Sequence, residues 1–465
     1  MKSVLAASAA TTAAADAPLS PAIRWALASL SLSMLLSSLG TSIANVALPT
    51  LTQAFDAPFQ QVQWVVLAYL LATTALIVSV GRLGDLIGRR RLLLAGIAVF
   101  SVASVLCGIA PTLWLLIAAR AVQGLGAAVM LALSMAIVAE TAPKARTGSA
   151  MGLLGTMSAV GTALGPTLGG VLITGFGWRA IFLVSVPLGA LTLLLAHRHL
   201  PADRRGPKPV HVGFDTVGTV LLALTLVAYA LAMTVGRGSF GALNVALLSA
   251  AAVGVGLFVL AESRVASPLV RMAMFRNPVL SAGFAMSTLV TTVVMATLVV
   301  GPFYLSGALG LDAARVGLVM SCGPVVAALT GVPAGRLVDR YGAQCVTLSG
   351  LIAMAAGATL LPMLPLDLGI PGYLAPLAVI TAGFALFQAA NNTAVMSDIR
   401  ADQRGVVSGL LTLSRHLGLI TGASVMGAVF ALGAGNTPLM TASPAAVAAG
   451  MRLTFVVAAV LVVAA

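Results

Sequence analysis

The sequence predicts an all-α polytopic membrane protein of about fourteen spanning helices. Three observations carry that prediction. Of 465 residues, 60% are hydrophobic and 8% are charged, whereas a soluble domain carries about 25% charged residues. Such a chain lacks the polar surface to face water all round. Apolar runs near the roughly 20 residues that cross a bilayer follow one another from residue 23 onward. Finally, one glycine- and arginine-rich stretch occurs twice. It reads Gly81-Arg82-Leu83-Gly84-Asp85-Leu86-Ile87-Gly88-Arg89-Arg90-Arg91 and returns as Gly335-Arg336-Leu337-Val338-Asp339-Arg340-Tyr341-Gly342. Its glycines favour a tight reversal, and its arginines pin the turn to one side of a membrane. Two copies in one chain imply two related halves, as in many transporters.

The runs in order are 23–47, 60–81, 91–110, 113–138, 148–173 and 178–196, then 215–235 and 242–262. Six more follow at 278–305, 314–335, 344–363, 371–397, 405–431 and 445–465, the last carrying Arg452 and leaving an incomplete final helix open. Glu140 and Arg146 match Asp398 and Arg404 at nearly the same spacing as the repeated turn, which leaves room for two extra helices between the halves. The expected organisation is therefore a cytoplasmic tail at 1–22, a six-helix bundle at 23–197, a linker with two inserted helices at 198–277 and a second six-helix bundle at 278–465. The Ala-, Ser- and Thr-rich start has a weak, Ala-dominated apolar centre and reads as a disordered cytoplasmic tail rather than as a signal peptide.

Loop charges set the orientation. Even-numbered turns carry most of the arginines and lysines, among them Arg82, Arg89, Lys144, Arg198, Arg336 and Arg404. By the positive-inside rule these turns, and both chain ends, are cytoplasmic. The net charge of +13 is thus orientation charge and points to no nucleic acid. Trp64, Trp114 and Trp178 fall at expected outer ends and Trp25 at an inner one, the level tryptophan favours. Cys107, Cys322 and Cys345 lie far apart, so neither a metal set nor a disulfide framework is visible. No catalytic triad or phosphate loop occurs, and Gly124 and Gly126 precede no Walker lysine. The expectation is no enzyme, no cofactor and no transport driven by ATP on this chain.

Several motifs resemble those of the major facilitator superfamily. Residues 81–91, with Gly81, Gly84, Asp85, Gly88, Arg89 and Arg90, resemble its cytoplasmic loop motif. Arg120-Ala-Val-Gln123-Gly124-Leu-Gly126 resembles the fourth-helix motif with an intramembrane arginine. Gly155, Gly161, Gly165, Pro166, Gly169 and Gly170 resemble the fifth-helix motif of exporters. Asn45-Val46-Ala47-Leu48-Pro49 and Trp178-Arg179-Ala180-Ile181-Phe182-Leu183 look like the fourteen-span drug/proton antiporters. The resemblance implies two six-helix bundles plus two inserted helices. It implies export of amphipathic drugs or toxic organic compounds by alternating access, in exchange for protons. It places the chain in a bacterial inner membrane, as a monomer whose partners are a small-molecule substrate, protons and the bilayer.

The residues support parts of this independently. Gly161 and Gly165 are one helical turn apart and form a small-residue face for close packing. Pro166 removes a helix hydrogen bond and bends its run; simple packing or a hinge both fit. Arg120 and Arg415 lie about 10 Å and about 15 Å inside their helices at 1.5 Å per residue. A buried arginine there needs a cavity, a partner or backbone carbonyls. Glu140 and Asp398, at cytoplasmic helix ends, are gate candidates that pair with loop arginines or simply stay solvated. The amides Asn45, Gln123, Gln388, Asn391 and Asn392 should face a cavity or other helices and are the first candidates for a substrate site. Met286, Met295, Met320, Phe303, Phe384 and Phe387 offer apolar walls or plain packing.

One departure bears on coupling. The antiporters lead one to expect an acid five positions before Asn45, and this chain has Gly40. No Asp or Glu lies deep in any run, so His416 is the midplane group suited to carry a proton, unless it is a satisfied core histidine. Arg415 and His416 point about 100° apart and cannot face one spot. Arg415 is the better cavity candidate, and its charge would hold His416 neutral until screened. Two other readings remain open: a metabolite exporter or facilitator without proton coupling, and a receptor or scaffold that no longer transports.

Overall fold

The computed structural model describes residues 20–141, 147–203, 215–235, 241–265, 275–397, 404–435 and 442–465. In lipid a backbone amide finds no water, so the apolar runs can satisfy their peptide groups only as helices. Fourteen helices among the described residues are long and apolar enough to span a membrane. They are α1 (Pro21–Ala54), α2 (Phe59–Ile77), α3 (Arg89–Ile109), α4 (Leu113–Val138), α5 (Leu153–Phe176), α6 (Ala180–His199), α7 (Thr216–Thr234) and α8 (Ala242–Arg264). Then follow α9 (Pro278–Gly307), α10 (Ala313–Gly331), α11 (Ala343–Met363), α12 (Gly369–Met396), α13 (Leu410–Gly433) and α14 (Pro444–Ala464).

Several starts are written locally. Ser20, Asn277 and Ser443 cap α1, α9 and α14, each followed by a proline, which has no N–H to leave unsatisfied. Asp215 and Asp312 cap α7 and α10 in the same way without the proline. The glycine-rich turn is tighter than its sequence suggests. The second helix runs on through Gly81 and Gly84 to Ile87, and Gly88 alone reverses the chain, at φ +106°. Its counterpart Gly342 does the same at φ +82°. Those left-handed angles are what glycine provides.

The helices pack by one rule applied twice. In the first half α1 packs on α4, α5 and α6, α2 on α4, and α3 on α4 and α6. In the second half α9 packs on α12, α13 and α14, α10 on α12, and α11 on α12 and α14. Between the halves α1 meets α9, α2 meets α13, and α5 meets α10. Exchanging the halves turns each of these contacts into itself or into another, as a two-fold axis requires. Polar contacts repeat as well. Ser42 Oγ donates to Gly161 O at 3.4 Å between α1 and α5, and Thr292 Oγ1 donates to Gly418 O at 3.2 Å between α9 and α13.

The inserted hairpin breaks the symmetry. Helices α7 and α8 pack on each other, and α7 lies along α2 and touches α13. Trp64 Nε1 donates to Thr234 Oγ1 at 3.1 Å, and the Ser79 and Thr219 hydroxyls are 2.6 Å apart. Tyr229 Oη donates to Thr421 Oγ1 at 3.2 Å in the second half. One seam between the halves is thus covered and the other is bare of this hairpin.

Two features go beyond the sequence reading. Trp64 and Trp178 lie at helix ends and also have protein partners: Trp64 bonds the inserted helix, and Trp178 is buried against Phe55 and Phe182, with ring centroids 5.2 Å and 6.4 Å away. Helix α13 contains a π segment at Gly422–Met426, where a Cβ on Gly422 would lie 2.5 Å from Met295 Cβ of α9. Such widened turns recur at functional sites. The tail at 1–19, Asp398, and the side chains of Arg82, Asp85 and Glu140 lie outside the described residues.

Candidate functional site

The polar residues singled out from the sequence resolve into three groups at different depths. The deepest is built on α4, whose Arg120 is wholly buried. Its guanidinium donates from Nε to Val65 O at 2.9 Å, from Nη2 to Gly40 O at 3.0 Å, and from Nη1 to Gln123 Oε1. Gln123 Nε2 in turn donates to Ser104 Oγ at 2.8 Å. The Tyr69 ring lies 4.2 Å below the guanidinium, and Tyr69 Oη donates to Ser37 O at 2.7 Å. Backbone carbonyls, an amide and an aromatic face together disperse the charge, which fixed dipoles in a dry interior do effectively. The cluster ties α1, α2, α3 and α4 into one body. Gly40 contributes its carbonyl where an acid was expected. A Cβ there would lie 3.1 Å from Tyr69 Oη and 3.4 Å from Phe100, so the tyrosine hydroxyl takes up much of the space a carboxylate would need.

The second group sits mid-helix on the seam between α2 and α13. His416 Nδ1 and Thr74 Oγ1 are 3.1 Å apart, across the two halves. Its neighbour Arg415 turns the other way and donates from Nη2 to Asn392 Oδ1 of α12, within the second half. Both side chains are half-buried. The expected divergence of Arg415 and His416 is therefore present, with the histidine facing the opposite half. Asn391, next to Asn392, is buried and donates from Nδ2 to Gly283 O of α9 at 3.1 Å. Asn45 is buried and bonds back to Thr41 O and Ser42 O of its own helix, at 3.1 Å and 3.3 Å, with its Oδ1 unpartnered. Gln388 is half-buried. The structure brings Arg120 to Gln123 and Arg415 to Asn392, but it does not gather the five amides at one spot.

The third group closes the end of the bundle away from Gly88. On α5, Gly161, Gly165 and Gly169 all face α1, where Cβ atoms would meet the α1 backbone or Ile43. Gly170 faces the other half instead. A Cβ there would lie 2.5 Å from Ala313 O, and one on Gly317 would lie 3.0 Å from Gly170 Cα. The Thr167 and Ser321 hydroxyls, 2.7 Å apart, bridge the same seam. Gly155 is exposed, and a Cβ on it would meet nothing within 4 Å. At the same end Phe59 of the first half packs edge-on against Phe303 and Phe430 of the second, with centroids 4.7 Å and 6.2 Å away. Buried Gln63 sits under Gly427, where a Cβ would be 3.1 Å from its Cδ.

The apolar core records the same asymmetry. From Leu39 on α1 and Phe59 on α2 toward that end, the first half shares one continuous cluster with the second. Toward Gly88 it forms a separate cluster of its own, from Ala26 to Leu200, with no member from the second half among the described residues. Among those residues the halves share a core at the end away from Gly88, while the first half's core at the Gly88 end is its own.

That end is fastened within the first half by a residue the sequence reading missed. Asp203 accepts hydrogen bonds from Arg90 N at 2.8 Å and Arg91 N at 3.2 Å, capping α3 from a distant loop. Arg90 also donates from Nη2 to His197 O, and Trp25 stacks on His199 at 5.8 Å. The signal was available: Asp203 is the single acid in the basic stretch 197–213.

Two pseudo-symmetric bundles of membrane-spanning helices, joined at one end and carrying a buried arginine, are the architecture of a membrane transporter. Residues 30–423 match the Major Facilitator Superfamily, and the chain belongs to that family. It is 33% identical to the uncharacterized transporter YebQ of Escherichia coli over 89% of this chain and 92% of that protein. It is 32% identical to the multidrug resistance protein Stp of Mycobacterium tuberculosis, over 84% and 72% of the two. It is 29% identical to the riboflavin transporter RibZ of Clostridioides difficile, over 85% and 86%. The solved structure of a D-xylose-proton symporter shares the fold, with a TM-score of 0.68 at 17% identity over 95% of this chain and 97% of that one.

Proposed function

We propose that this transporter exports amphipathic drugs or toxic organic compounds by alternating access between the bundles at 23–197 and 278–465. The observation that carries the reading is the one-ended closure among the described residues: a shared core and glycine-to-glycine contact at one end, a first-half core of its own at the other. A rocking of two rigid halves about such a joint exposes a mid-level cavity to each side in turn. With the arginine-rich turns in the cytoplasm, the joined end is the outward one. Relatives named for drug resistance and drug efflux support the substrate class. The test is accumulation of lipophilic cationic dyes and antibiotics in cells with and without the chain. Equal accumulation across a broad panel would sink the reading.

Proton exchange is the finer part of the proposal, and His416 on the seam with Thr74 is its candidate carrier. A specific observation favours a second reading, a metabolite exporter or facilitator without coupling. Arg120 is satisfied by carbonyls and Gln123, with Gly40 in the place of an acid, and one relative is named for riboflavin. Flux into proteoliposomes that ignores an imposed pH gradient would select that reading. Absence of saturable flux for any substrate would leave a receptor or scaffold.

A further inference from the structure

Arg452 is out of place for a loop charge. It is the ninth residue of α14, so its Cα lies about 12 Å along the axis from the helix start at 1.5 Å per residue. It is exposed, beside Leu453 and Val456 on the face of α14 that also exposes Val460 and Val463. That face looks at lipid. Among the described residues no carboxylate pairs with it; Asp367 on the nearby α11–α12 connection forms no ion pair with it. An unpaired arginine facing hydrocarbon is costly, so its surroundings should supply an anion or a path to one.

The surroundings do both. Cα–Cβ bonds tilt toward a helix N-terminus, which for α14 is the end away from Gly88, so the side chain reaches toward the membrane surface at that end. There it lines a pocket with Tyr304, Pro362, Pro365, Tyr373 and Met451. Tyr304 sits three residues before the last residue of α9, lining the same pocket as the guanidinium, and Tyr373 is stacked on it at 5.8 Å. The Tyr373 hydroxyl is engaged with Met320 Sδ, whereas the Tyr304 hydroxyl forms no hydrogen bond within the protein among the described residues. The pocket therefore presents a forked cation and a free hydroxyl at headgroup level. Below it, α11 and α14 pack side by side and expose Ile352, Leu360 and Met363 on one helix and Leu453, Val456 and Val460 on the other.

We propose that this pocket binds the phosphodiester headgroup of an anionic phospholipid, with the acyl chains lying along the α11–α14 groove. The guanidinium fork matches two phosphate oxygens, Tyr304 donates to a third, and the apolar groove continues where the chains must run. A free anion would use the cation but not the groove, which is why the lipid is the assigned occupant.

The test titrates the full chain, purified in mild detergent, with phosphatidylglycerol and reads bound lipid by native mass spectrometry. One tightly held phosphatidylglycerol is expected. Arg452→Gln should weaken it at least about fivefold and Arg452→Lys by less, because a point charge replaces the fork. Tyr304→Phe should weaken it about twofold, the loss of one hydrogen bond. Undiminished binding by Arg452→Gln overturns the proposal. Should that variant fail to fold, Arg452→Lys decides, and unchanged affinity there overturns it. Displacement of the lipid by millimolar inorganic phosphate would reassign the pocket to free anions and also overturn it. Binding is read without flux, so either result is independent of the export reading.

Discussion

Gly170 of α5 and Gly317 of α10 meet backbone to backbone across the two halves, with no room for a methyl group between them. We predict that Gly317→Val selectively disfavours the closed end. Overpacking costs about 1–3 kcal/mol, which shifts a two-state balance by roughly fivefold to 160-fold at 1.36 kcal/mol per decade. Surface labelling of a cysteine placed on this seam should rise while membrane expression holds. Transport should fall with it. Unaltered labelling would show that the seam tolerates the extra volume and does not gate access.

At the other end the prediction concerns folding. A Cβ on Gly88 would lie 2.7 Å from Asp203 Cγ, and φ is +106°. Gly88→Ala therefore combines a clash with a left-handed strain of about 1–2 kcal/mol. Asp203→Ala removes the cap of α3 and should cost about 0.5–2 kcal/mol. Both should lower the thermal unfolding midpoint of the purified protein. Because they act on one contact, the double variant should lose less than the two losses added.

Gly40→Asp is expected to place a carboxylate beside Arg120 by displacing the Tyr69 hydroxyl from the space it fills. We predict that flux in proteoliposomes then depends more steeply on an imposed pH gradient than in the parent. A variant that folds, transports and shows the parent's gradient dependence would mean that a carboxylate at this depth is merely ion-paired. Arg120→Met should fail differently. It removes the donor to buried Gln123 Oε1, which costs about 1–3 kcal/mol when left unsatisfied, and should lower stable expression.

His416→Gln keeps a group able to bond Thr74 but cannot titrate. If His416 carries the proton, the variant retains downhill flux and loses the parent's pH dependence. Thr74→Val should do the reverse, lowering flux while the pH profile stays. The proton-carrier reading fails if His416→Gln concentrates substrate with the parent's profile.

Much of this architecture is legible in the sequence because membranes enforce it. The apolar runs, the doubled glycine turn and the spacing that leaves room for two inserted helices need only length and composition. Packing partners are less legible. Nothing in the residues around Arg120 says that Gly40 O and Val65 O receive its charge, since any residue supplies a carbonyl. The π segment at Gly422–Met426 lies where Gly422 meets Met295 and Thr292 of α9, a contact from another helix. The position of α7 was hidden too: its own residues do not say that Leu222 and Leu226 join the shared core, or that Thr219, Tyr229 and Thr234 find partners on α2 and α13. Asp203 is the opposite case, a lone acid among basic residues that charge reading alone could have picked out.

Those three contacts of α7 have a mechanical consequence. The helix is fastened to α2 through Thr234 and Thr219 and to α13 through Thr421, so it straddles a joint whose two sides must slide if the halves rock. Each bond is a single neutral contact worth about 0.5–1.5 kcal/mol, weak enough to let go within a cycle. Two hold the helix to the first half and one to the second, so in a rocking motion α7 would travel with α2 and release Tyr229 from Thr421. The inserted hairpin thus behaves as a flap hinged on one leaf of the joint. It shields that side from the surrounding lipid and leaves the α5–α10 side as the flank a lipid-dissolved molecule meets first.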